Sequence, residues 1–329
     1  MRIVNRKILC LALSAMLCLC SSVGAQQTKK VFRIGLLSSG RPSPMPPPIE
    51  AFRQGLRELG YIEGQNILVE YRWAEGKDER YAILASDLVS LGVDVIVVQG
   101  TQAAIAAKHA TSTTPIIVAG AGDLVGEGLV ASLARPGGNV TGFTNIDPDL
   151  SAKRLHLLRE IFPKVARVAV LHHGGPGGDQ DELRETQTVA KSLGVQIQAL
   201  HVVEPDQFQH AYVAMTKKRA QALIIFSGSF TTPHQRELLD LAAKIRIPTM
   251  CGNTSWVETG GLISYGRDTR NQYRRTARIV DRIVKGAKPA EIPIEQPTKF
   301  ELVINLRTAK QIGITIPPNV LARADRVIK

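Results

Sequence analysis

The sequence predicts an α/β protein of two doubly wound parallel-sheet lobes joined by a multi-strand hinge. Three observations carry that expectation. Runs such as VDVIVV (93–98), PIIVA (115–119), RVAVLH (167–172) and ALIIF (222–226) are continuously apolar, as strands buried on both faces are. Helical stretches alternate with such runs, and Gly60, Gly92, Gly194, Gly286 and Gly313 each stand just past one, where a left-handed residue ends a helix. The alternation is broken by a Gly/Pro-rich stretch at 135–139 and restarts at Arg167, which gives two lobes rather than one sheet. A length of 329 residues suits two domains of about 100–200 residues each.

The elements follow in order. Residues 31–37 form a first strand, and 49–59 a helix with Ile49, Phe52, Leu56 and Leu59 on one face. A strand at 67–71, a helix around 81–91 and the strand 93–98 come next, then an Ala-rich helix at 103–109 and the strand 115–119. The run 140–145 leads out of the first lobe. In the second half, Gly260, Gly261 and Gly266 punctuate a strand at 262–265, and Pro289, Pro293 and Pro297 space an extended connection. The helix 270–285 lies between these two punctuation points and is expected to return to the first lobe. The boundaries expected are 26–143 plus 268–297 for the first lobe and 144–267 plus 298–329 for the second. In open α/β sheets ligands bind beyond the carboxyl ends of the strands, so the cleft between the lobes is the expected site.

The first 25 residues stand apart. Arg2, Arg6 and Lys7 precede an apolar run, and small residues lead to Val23, Gly24 and Ala25 before the chain turns polar. That order describes a secretory signal peptide cleaved after Ala25, too short to span a bilayer comfortably. Cleavage would remove Cys10, Cys18 and Cys20 and leave Cys251 alone, so the exported chain folds without an internal disulfide. The formal charge is +12, but Lys and Arg are spread along the chain, aromatic residues are 5%, and no zinc-finger spacing or basic-aromatic array occurs. A solvated basic surface is read from this, not a nucleic-acid partner.

The residues after each strand are the candidate ligand contacts. Ser38 and Ser39 follow the first strand. Thr101 and Gln102 follow VDVIVV at the start of a helix, where backbone N–H groups and the helix dipole suit a carboxylate; Thr101 is also a possible helix cap. Asp123 follows PIIVA and suits either a ligand amine or a helix cap. Asn145, Ser227, Asn253 and Tyr265 end later strands. Trp256 and Tyr265 are rings able to stack on a ligand or to pack in the core. His172 and His173 are adjacent on a strand and point to opposite faces, which argues against a metal. The glycine run 174–178 lacks the P-loop lysine and contains Pro176, so a surface turn is expected. No nucleophile elbow or dinucleotide fingerprint occurs. Binding without turnover is expected, with no cofactor, metal or catalytic residue.

Several motifs together resemble a known family. Residues 132–142 (SLARPGGNVTG), 128–130 (GLV), 260–266 (GGLISYG), 296–305 (QPTKFELVIN) and 323–325 (RAD) resemble, in order and spacing, a family of ABC-transporter substrate-binding proteins. The resemblance covers the chain from about Arg33 to Ile328. It implies a type I periplasmic binding protein fold with three crossovers, and supports Thr101, Asn145 and Tyr265 as cleft positions. Relatives serve tryptophan or tyrosine uptake. Many carry Asp-Pro-Val where this chain has Asp123, Leu124 and Val125, and the departure bears on aromatic specificity. The SLARPGGNVTG stretch itself reads as structural, a turn and the run into a crossover. The expected protein is a monomeric, periplasmic solute-binding subunit that takes a small polar ligand, an amino acid or aromatic acid among the candidates, and serves an ABC permease. The alternative is a binding protein that presents its ligand to a membrane sensor.

Overall fold

The apolar runs become strands where their continuity places them. The computed structural model describes residues 30–145, 147–174 and 179–329; the expected signal peptide and most of the 174–178 glycine run lie outside these residues. From Phe32 to Lys329 the chain forms one compact unit containing two sheets. In the first, β1 (Phe32–Ser38), β2 (Ile67–Trp73), β3 (Val95–Val98), β4 (Ile116–Ala121) and β5 (Val140–Thr144) lie in the order β2-β1-β3-β4-β5, every pair parallel. The helices α1 (Pro47–Glu58), α2 (Tyr81–Ser90) and α3 (Thr101–Ala110) connect its strands.

The chain then enters the second lobe as α4 (Asp147–Ile161). There follow β6 (Arg167–His172), α5 (Asp179–Ser192), β7 (Gln196–His201), α6 (Gln207–Lys217), β8 (Ala222–Ile225) and α7 (Gln235–Lys244). Then come β9 (Thr249–Asn253), α8 (Thr254–Thr259) and β10 (Ile263–Arg267). Helix α9 (Thr269–Val284) returns to the first sheet. Finally β11 (Phe300–Asn305), α10 (Leu306–Ile312), α11 (Pro318–Leu321) and β12 (Arg326–Ile328) complete the second sheet, in the order β12-β11-β10-β9-β8-β6-β7. The chain therefore passes between the sheets three times: after β5, after β10 and before β11.

One strand departs from the all-parallel expectation. β11 runs antiparallel to β10. The other two crossings open with a helix, α4 or α9, which carries the chain away from the cleft before a strand returns to it. The third crossing enters the second lobe at its cleft end directly as a strand, so that strand has to run outward, against its neighbours.

Each sheet buries both faces. Ile34, Leu36, Val95 and Val97 pack on one side against Ile49, Phe52 and Leu56 of α1 and Tyr273, Ala277 and Val280 of α9. Leu37, Ile96 and Val98 face the other side, with Ala85 and Leu88 of α2 and Ala103, Ala104 and Ala107 of α3. The period of two along each strand divides a continuous apolar run between two cores, which is why the run does not alternate with polar residues. The second lobe repeats this: Val168, Val170 and Ile224 lie in one core, Ala169, Leu171, Leu223 and Ile225 in the other. Full burial of each such side chain contributes about 1.5–3 kcal/mol.

The two strands that lead out of the sheets, β5 and β10, each carry a register shift, between Val118 and Ala121 on the β4–β5 pair and between Ser264 and Arg267 on β10. A glycine permits each. A Cβ on Gly142, at φ 129°, would lie 2.1 Å from Val118 O, and one on Gly266 would lie 1.7 Å from Gly252 O. Gly142 ends the SLARPGGNVTG stretch and Gly266 ends GGLISYG. Asn139 of the first motif donates through Nδ2 to the carbonyls of Thr111 and Thr114 at 3.0 and 2.9 Å, tying the turn to the end of the α3 segment.

Candidate functional site

The carboxyl ends of the parallel strands from both sheets face one cleft, with about 790 Å³ of space including its open mouth. Thr101 and Gln102, Gly120 and Gly122, and Asn145 contribute from the first lobe; Ser227, Asn253 and Arg267 contribute from the second. Thr269, at the start of α9, lines it at the second crossing.

Local hydrogen bonds hold the first-lobe wall. Gly100, at φ 87°, precedes α3 and offers no side-chain cap, so Thr101 is the first helical residue rather than its cap. The Thr101 hydroxyl accepts instead from Gly122 N–H at 3.1 Å, and Gly100 N–H donates to Gly120 O at 2.9 Å. Both bonds tie the loop after β3 to the loop after β4. Thr101 is buried, and with its oxygen already accepting, its own proton is available to an acceptor in the cleft. The α3 N-terminus keeps unsatisfied backbone N–H groups beside it.

The second-lobe wall is similarly built. Ser255 donates to Asn253 Oδ1 at 2.6 Å, which turns the amide so that its NH2 is left for a ligand. Asp179 accepts from the N–H groups of His173 and Gly174 at 2.9 and 3.1 Å, fixing the loop after β6 beside the cleft. Two cleft hydroxyls, Ser227 Oγ and Thr269 Oγ1, are buried with no hydrogen-bond partner among the described residues. A buried hydroxyl left so costs about 1–3 kcal/mol.

Six of the nine residues singled out from the sequence line the cleft: Ser39, Thr101, Gln102, Asn145, Ser227 and Asn253. The other three side chains are engaged elsewhere. Ser38 donates to Gln99 Oε1 at 2.8 Å and accepts from Gly40 N–H, bracing the loop behind the wall. Asp123 Oδ1 accepts from Val125 and Gly126 N–H at 3.0 and 2.9 Å, closing its own turn. The Tyr265 ring packs on the lobe core and lies 6.4 Å from Phe300, because the pleat turns it away from the cleft; only its carbonyl is nearby, accepting from Arg154. Trp256 is wholly buried in the second lobe. Sequence reading missed Asp179, Arg267 and Thr269. Asp179 follows the glycine run and has no strand-end motif of its own. Arg267 reaches the cleft only because the β10 bulge adds a residue to the strand end.

Two reactive side chains, Cys251 and His172, are taken up in the second lobe. Burial pushes the Cys251 thiol well above its ordinary range. His172 lies between Phe226 and His201, and burial lowers its pKa. Among the described residues no group of three or more His, Cys, Asp or Glu is placed to hold a metal ion.

Two α/β lobes, three crossings and a polar cleft at facing strand ends define a two-lobed ligand-binding protein. The chain belongs to the ABC transporter substrate binding protein family, whose profile matches residues 47–328. The tyrosine-binding protein of Clostridioides difficile is 24% identical over 268 residues, 80% of this chain and 76% of that one. A Streptococcus pneumoniae ABC domain in complex with L-Trp superposes with a TM-score of 0.81 at 27% identity, over 90% of this chain and 99% of that one. A conserved domain protein from Vibrio cholerae gives 0.81 at 29% identity, over 91% of this chain and all of the other. A 5-methylthioribose transporter solute-binding protein from Thermotoga lettingae shares the fold at 15% identity, with a TM-score of 0.60.

Proposed function

We infer that this chain is the exported solute-capturing subunit of an ABC transporter, which closes its lobes on a small polar ligand and delivers it to a membrane permease. The observation that carries this reading is a cleft lined with polar side chains from both lobes, Thr101, Gln102 and Asn145 on one side and Ser227 and Asn253 on the other, in a chain of this family. Groups on opposite walls gain further hydrogen bonds when a ligand lies between them, so binding favours the closed arrangement over the open one. The segments 26–143 plus 268–297 and 144–267 plus 298–329 would move as the two rigid parts. The ligands named for the tyrosine-binding relative and the L-Trp complex put amino acids first among the candidates. A carboxylate would sit at the α3 N-terminus, within reach of the Thr101 proton.

The test is a melting curve of residues 26–329, stripped of carried-over ligand by unfolding and refolding, against amino acids, organic acids, nucleosides and sugars. A ligand at 100 times its Kd adds about 2.7 kcal/mol, which raises melting by roughly 5–10 °C for a chain of this size. Thr101→Ala removes a cleft donor and the tie to Gly122, and is expected to weaken an identified ligand about tenfold, ~1.4 kcal/mol, with the fold retained. Wild-type affinity in that variant would remove Thr101 from the site.

A further inference from the structure

We propose that the cleft is built for a ring-free ligand, a small aliphatic acid bearing hydroxyl, amide or amino groups, and that it excludes aromatic amino acids. The proposal rests on the solute-binding reading above and narrows its ligand class.

The chain holds eight Phe, six Tyr and two Trp. All of them lie within the described residues, since positions 1–29, 146 and 175–178 contain no aromatic residue. None of these rings lines the cleft. Rings on neighbouring elements are committed to packing: Trp73 stacks on Tyr71, Tyr265 packs beside Phe300, Phe143 lies under the Arg275 guanidinium, and Phe230 and Trp256 are in the second-lobe core. The cleft wall is instead made of hydroxyls, carboxamides, glycine backbone and the charged Asp179 and Arg267, with Pro48 and Ala121 its only apolar side chains.

An aromatic side chain brings a large apolar surface that needs apolar or ring partners. Placed here it would displace water from Gln102, Asn253 and their neighbours without replacing the lost hydrogen bonds, and buried polar groups left unpaired oppose binding. A compact ligand with several oxygens or nitrogens reverses each of these terms. Its oxygens and nitrogens can pair with polar side chains on both walls, Gln102 in the first lobe and Asn253 in the second, which an indole or phenol ring does not. Arg267 and Asp179 place a positive and a negative group in the same lining, in keeping with an acid that also carries an amine.

The experiment has two arms on the protein recovered from its own export compartment. Natively purified protein is unfolded, and the released small molecules are identified and quantified by mass spectrometry. Refolded protein is titrated calorimetrically with L-tryptophan, L-tyrosine, L-serine, L-asparagine, L-malate and glycerate. The expected result is a ring-free compound, released or titrated, bound near one per chain, with no heat from L-tryptophan or L-tyrosine at millimolar concentration. Gln102→Ala, at a half-buried position on the cleft wall at the start of α3, is expected to fold normally and to bind that compound at least tenfold more weakly. Stoichiometric L-tryptophan, L-tyrosine or another ring compound would overturn the ligand class and leave the solute-binding reading standing. Folded protein that releases nothing and binds nothing would overturn both.

Discussion

Ser229, in the loop after β8, donates a 3.2 Å hydrogen bond to Asp78 Oδ1, in the loop after β2, and so joins the second lobe to the first at the cleft mouth. Beside it, a Cβ on Gly76 would lie 3.0 Å from His234 Cε1. Burial raises the Asp78 pKa above its ordinary 3.8, against smaller opposing effects of His173 and of the Ser229 hydrogen bond. A carboxyl with a raised folded pKa holds its proton more tightly when folded, so its charge opposes the folded arrangement at neutral pH. That opposition fades as pH falls through the raised value. Asp78→Asn keeps an acceptor for Ser229 without the charge. It is expected to melt above wild type at pH 7, with the difference shrinking as the pH approaches about 4. Paired melting curves across that range check it; a constant difference would remove the charge as the cause.

Arg154, on α4, is 2% exposed and joins three elements near the crossings. It pairs with Glu182 on α5 at 2.5 Å and donates to the carbonyls of Tyr265 at 2.9 Å and Gly252 at 3.4 Å, at the ends of β10 and β9. Arg154→Met would leave Glu182 charged and buried and two carbonyls unmet, at about 3–5 kcal/mol of stability. Urea unfolding would show it, and a loss under about 1 kcal/mol would mean that water reaches the site.

Gly142→Ala and Gly266→Ala would push a Cβ into the backbone of the neighbouring strand. Overpacking of this kind costs about 1–3 kcal/mol, and Gly142 adds the strain of its positive φ. Both variants are expected to melt several degrees lower. Gly266→Ala should also weaken ligand binding, because the bulge it permits carries Arg267 to the cleft. Equal melting to wild type would place the bulges under no such constraint.

Tyr265→Phe and Asp123→Asn test the reading of side chains that face away. The first keeps the ring in its core contact and the second keeps an oxygen for the Val125 and Gly126 amides. Both are expected to hold an identified ligand within about twofold of wild type, under ~0.5 kcal/mol. A tenfold loss in either would bring that side chain into the cleft on closure.

The architecture was legible because its signals are local. A strand buried on both faces must be apolar throughout, and a glycine after a helix supplies a conformation that other residues adopt only under strain. The five glycines expected at helix ends all have positive φ. The SLARPGGNVTG stretch was legible as a turn and a run into a crossing for the same reason. The site was half legible. Strand ends are readable, so Thr101, Asn145, Ser227 and Asn253 were within reach, but which way a side chain points at a strand end depends on pleat and register. One residue of bulge in β10 decides that Arg267 faces the cleft while Tyr265 faces the core. The Ser229–Asp78 contact joins residues distant in sequence, Asp179 and Thr269 reach the cleft only through the tertiary arrangement, and the antiparallel β11 follows from where the third crossing enters. The sequence by itself determined the elements and their alternation, since these depend on neighbours within a turn or a strand. Only the tertiary structure decided which polar groups meet across the cleft and which are left without a partner, since that depends on distances between segments that no local pattern encodes.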